Sequence, residues 1–87
     1  MLKNSQTKII MAGLDNKLIA RSEARTFLRE WKNFDEIILD FEKVKTIGPS
    51  FADEVFRVFK IKHPEIEIIP INMNETVEFM VKRVGKP

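Results

Sequence analysis

The chain has 87 residues and a formal net charge of +2, with 44% hydrophobic and 32% charged residues. That composition fits one globular domain with a single core and lacks the signature of disorder. It contains no cysteine, which rules out disulfides, thiolate metal sites and cysteine nucleophiles and fits a reducing compartment. Its apolar runs are short and no signal-peptide pattern opens it, so a cytoplasmic protein without membrane contact is expected. The mildly basic balance permits anionic partners but does not call for nucleic acid.

Residues 1–6 are polar and expected to be loose, leaving 7–87 as one domain. Thr7 to Met11 is a short β-type run, Gly13 to Asn16 has turn chemistry, and Lys17 to Ala20 is expected to pair back as a second strand. Ser22 opens a helix with Ala24, Phe27, Leu28 and Trp31 on one face, ending near Lys32 and Asn33. In Glu36 to Phe41 the run Ile37-Ile38-Leu39 lacks polar alternation and predicts a strand buried on both faces.

Pro49 suits the first turn of a second helix and Ser50 its cap. Phe51, Ala52, Val55, Phe56, Val58 and Phe59 form its broad apolar face, and Asp53, Glu54, Arg57 and Lys60 the polar one. Ile66 to Ile71 is a further strand, in which Pro70 argues for an end or an edge. Asn74 caps a last helix with Val77, Met80, Val81 and Val84 on one face and Phe79 turned outward. Strands alternating with helices imply a largely parallel sheet with right-handed crossovers.

Sites in parallel sheets are usually built at the carboxyl ends of the strands. Here Asp40 ends the central strand, and a loop leads through Lys45, Thr46 and Gly48 to Ser50 at a helix start. A phosphate on Ser50 would meet the positive end of the helix dipole and free backbone N–H groups. Asp53 and Glu54 point about 100° apart on a helix, which suits first-turn electrostatics or a partner contact better than acid/base catalysis. Asp53 and Arg57 are spaced to pair, an interaction worth about 0.3–0.5 kcal/mol.

Arg21, Arg25, Arg29 and Lys32 form a basic ridge along the first helix. Arg21 and Arg25 oppose the dipole at its start, so an acidic partner, a phosphate or a buried acid such as Asp40 is expected to compensate them. His63 is the only histidine, and Gly13, Gly48 and Gly85 are the only glycines. No metal site, nucleophile–base pair or glycine-rich cofactor loop emerges, so no enzyme activity, metal or cofactor is expected.

The stretch from Leu39-Asp40-Phe41 through Ile47-Gly48 and Ser50-Phe51-Ala52-Asp53-Glu54 resembles the STAS-like domain family of unknown function. Ala20 to Arg25 is similar to the opening of that family's first helix, and Asn72 to Met80 to its Asn-rich loop and final helix. The resemblance implies an α/β, STAS-like fold: a mixed, mostly parallel sheet of about four strands with three helices. It also implies likeness to the STAS domains of bacterial anti-anti-sigma factors, which bind kinase-like ATPases and are switched by phosphorylation of a serine.

Ser50 falls on that serine, making it the candidate phosphoacceptor. Gly48 and Phe51 depart from the Asp-Ser-Ser-Gly motif around it. The expected function is thus a regulatory protein–protein interaction module whose protein partner is a kinase-like ATPase. Its candidate partner-binding residues are Lys45, Thr46, Gly48, Phe51, Asp53, Glu54 and Phe79. The alternative is a nucleotide- or nucleic-acid-binding module using Arg21, Arg25, Arg29 and Lys32.

Overall fold

The computed structural model describes residues 5–84. In chain order they form β1 (Gln6–Ile10), a 3-10 turn (Asp15–Lys17), α1 (Arg21–Trp31), β2 (Glu36–Asp40), α2 (Pro49–Asp53), a π-helical turn (Glu54–Val58), α3 (Phe59–Lys62), β3 (Glu67–Ile71) and α4 (Glu75–Val84). Since α2, the π turn and α3 follow one another without a break, the domain has three helical bodies. Of the residues expected to be loose, 1–4 lie outside the described range, and Gln6 already belongs to β1.

The sheet has three strands in the order β1-β2-β3, both pairings parallel, with Thr7 opposite Ile37 and Ile37 opposite Ile68. This is one strand fewer than expected, and none is antiparallel, because Lys17 to Ala20 does not pair back. Leu14 and Lys17 instead donate their N–H groups to the carbonyls of Met11 and Leu14, closing two tight turns. Leu18 is thereby fully buried, while its carbonyl accepts from the Gly48 N–H at 2.7 Å. Of Lys17 to Ala20, only Leu18 enters the core, while Lys17 and Ile19 are exposed.

Strands laid down in sequence order through crossovers of one hand place both crossover helices on the same face. That face carries the core: Ile37, Leu39 and Phe41 meet Leu28, Phe51, Ala52, Val55 and Val77. Phe27 stacks on Trp31 at 5.5 Å between ring centroids and meets the edge of Phe51 at 6.2 Å. Among the described residues, no helix covers the other face of the sheet. Ile38, expected to be buried, is only half-buried there with Ile69 and Ile71, and Ile10 is 57% exposed.

Along β3, Glu67 donates to the Asp35 carbonyl, and the Ile71 carbonyl accepts from Phe41. Alternation therefore turns the amide groups of Glu67, Ile69 and Ile71 toward β2 and those of Ile68 and Pro70 outward. Pro70 lies on an edge strand at an outward position, where its missing N–H costs no ladder bond. α1 begins without a side-chain cap of its own, since Ala20 has no acceptor; the Glu23 carboxylate closes the turn by accepting from the Ala20 N–H.

Candidate functional site

The loop between β2 and α2 crosses the carboxyl end of the sheet and is pinned in three places. Asp40 is buried, and its Oδ1 accepts from the Glu42 N–H and from Asn72 Nδ2, both at 3.0 Å. Lys8 Nζ stands 3.7 Å from Oδ2. These donors, Asn72 foremost, hold the Asp40 carboxyl below its ordinary pKa. The second pin is Asn74: its Nδ2 donates to the Val44 and Lys45 carbonyls at 3.0 Å, and its Oδ1 caps α4 by accepting from the Val77 N–H at 2.7 Å.

The third pin is Gly48, buried where the chain crosses the Leu18–Ile19 segment. A Cβ there would lie 2.4 Å from the Ile19 carbonyl oxygen. Its φ of −76° suits any residue, so the position demands glycine for space and not for conformation. Held this way, the loop exposes Lys45, Thr46, Pro49 and Ser50. Three residues expected to face a partner, Gly48, Phe51 and Glu54, do not. Gly48 lies under the crossing, and Phe51 is fully buried against Phe27.

Ser50 is one residue inside the helix and does not cap it: Gly48 is the N-cap and Pro49 the first helical residue. Asp53 and Glu54 follow at the spacings that put them on its side of the helix. Glu54, expected on the solvent face, is 95% buried against α1, since its relative exposure is 5%. Arg21 Nη1 donates to Glu54 Oε1 at 2.9 Å and to Asp53 Oδ2 at 3.0 Å, and Arg25 Nε lies 3.6 Å from Glu54 Oε2. Arg57 Nη2 also donates to Asp53 Oδ2, at 2.9 Å. The two cations at the start of α1 thus find their acids inside the chain, with Glu54 in the role considered for Asp40. The hydrogen bonds that Arg21 donates to Glu54 and Asp53 raise its pKa above the ordinary value.

Arg57, Arg21 and their charges hold the Asp53 carboxyl at about 2, against an ordinary 3.8. A lowered folded-state pKa gives stability that is complete above the ordinary value and lost as pH falls through the folded one. Between about pH 4 and pH 2 the domain should therefore lose stability from this contact, at most about 1 kcal/mol because solvent screens the pair. Urea unfolding followed over that range checks it, and Asp53→Asn should flatten that part of the profile.

Elsewhere, Arg29 and Lys32 are exposed on α1, and Phe79 projects from α4 at 63% exposure. His63 packs against Phe59 with its ring centroid at 4.8 Å and has its Nδ1 3.6 Å from Glu65. Among the described residues no group of three His, Cys, Asp or Glu side chains is arranged to hold a metal ion, and no helix is long and apolar enough to cross a membrane.

The fold and this junction define a two-layer α/β domain that displays a loop and a helix start at the carboxyl edge of a parallel sheet. The family model described as a STAS-like domain of unknown function (DUF4325) matches residues 23–78, from the first turn of α1 into α4. The chain belongs to that family. No curated protein and no solved structure matches it.

Proposed function

We propose that this STAS-like domain is a regulatory interaction module that binds a protein partner, a kinase-like ATPase, through the Lys45–Ser50 loop and the start of α2. The observation that carries this reading is the rigidly pinned loop that exposes Lys45, Thr46 and Ser50 together at the carboxyl end of the sheet. A surface held by buried anchors loses little conformational freedom on binding. The reading involves no catalysis and no cofactor, and its setting is the cytoplasm.

Ser50 is its candidate switch. A phosphate there would add nearly two negative charges one helical turn from Asp53 and Glu54 and compete with them for Arg21. Ser50→Asp is expected to weaken binding of the kinase-like ATPase about tenfold, the scale of one charge-assisted contact. Calorimetry with the purified partner measures it, and phosphosite mapping after incubation with ATP identifies the acceptor. Equal affinity of the two forms, with Ser50 unmodified, would discard the switch. The reading as a nucleotide or nucleic-acid binder through α1 has less to stand on, because Arg21 and Arg25 are engaged by Glu54.

A further inference from the structure

At the far end of α1 from Ser50, a groove of about 230 Å³ runs between α1 and α3, lined by Arg25, Arg29, Lys32, Lys62 and His63 over Leu28 and Phe59. We infer that this groove is a second docking site, for an acidic, extended segment of a protein partner.

Charge selects an acidic occupant. Cations in the last turns of α1 and α3 complement the two helix dipoles, and that would explain Arg29 or Lys62 taken singly. It does not explain why cations from two helices face one another across a groove. The one carboxylate lining the groove, Glu54, is already held by Arg21 and Arg25. Among the described residues, Arg29, Lys32 and Lys62 form no ion pair. Like charges gathered without a counter-charge repel, and an incoming acid relieves that repulsion.

The groove's shape selects the occupant. From Arg25 to Lys32 the helix rises about 10 Å, the span of roughly three extended residues. Two acidic side chains on such a segment meet Arg29 and Lys62 from between the helices. Nucleic acid fits less well. Single strands bind by stacking on exposed aromatic rings, whereas in this groove Phe59 is almost fully buried and the His63 ring is packed against it.

The test is fluorescence anisotropy of a labelled octapeptide of alternating glutamate and leucine. A glutamine-for-glutamate peptide and an oligothymidylate of matched length run in parallel. The acidic peptide should bind, weaken steeply with added salt, and lose about tenfold in affinity with R29E/K62E. Both residues are exposed, so the fold should persist, and R29Q/K62Q provides a milder form should that variant unfold. The control K17E/K82E changes net charge equally on other elements and should bind like wild type. Absence of binding, equal loss in the control variant, or tighter binding of the glutamine peptide or the oligothymidylate would each overturn the inference. Ser50→Asp should leave this binding unchanged, which separates it from docking at the loop.

Discussion

Phe51→Ala is expected to lower the stability of the domain by about 3–5 kcal/mol, the cost of emptying a fully packed phenylalanine site. Phe51 has no exposed surface, and its ring is the inner end of a chain that runs from Trp31 through Phe27 into the core. A domain of this length holds about 4–13 kcal/mol in all, so the variant should be partly unfolded at ordinary temperature. Trp31, the only tryptophan, lies at the end of that stack and reports the transition by its fluorescence in a urea titration. The outcome also decides how Phe51 serves the junction. As a core residue it shifts the unfolding midpoint; as a partner contact it would leave the midpoint alone and weaken binding only.

Gly48→Ala should cost about 2–3 kcal/mol although it adds a single methyl group. Overpacking against side chains is relieved by rotamer changes and costs about 1–3 kcal/mol, but the obstacle here is backbone. The new Cβ would lie 2.4 Å from the Ile19 oxygen and 2.8 Å from Ile19 Cα. Either the loop lifts and breaks the Gly48–Leu18 hydrogen bond, or the Leu18–Ile19 segment withdraws and takes Leu18 out of the core. A fall in melting temperature of about 10–20 °C follows for a domain of this size, measurable by circular dichroism. Since the same loop displays Ser50, partner affinity should fall as well, without any change to an exposed side chain.

The helices were legible because each has one apolar face, and 3.6-residue spacing records it. Asn74 was legible as a cap because its chemistry is local, while its second task, holding the Val44 and Lys45 carbonyls, joins segments far apart in sequence. The same limit hid Glu54. On its own helix it reads as a first-turn acid; it is buried because α1 lies alongside and brings Arg21 and Arg25. The unexplained arginines at the start of α1 were the signal that an acid had to be near, but spacing alone could not name it. Lys17 to Ala20 follows turn chemistry and so reads as a returning strand, and only the crossing under Gly48 shows why it is not one. The run Ile37-Ile38-Leu39 gave no sign that helices would cover one face of the sheet and leave the other open.

Pro70 has a consequence for how this sheet can grow. On the β3 side, Ile68 offers the one outward N–H between Glu67 and Ile71, because Pro70 has none. On the β1 side the bond from Met11 to the Asp40 carbonyl sets the opposite alternation, leaving the N–H groups of Gln6, Lys8 and Ile10 facing outward. A fourth strand, from a neighbouring segment or another molecule, therefore finds a full row of donors along β1 and a broken row along β3. Extension of the sheet is one-sided, and its direction is set by a single imino acid two strands away from where the addition would occur.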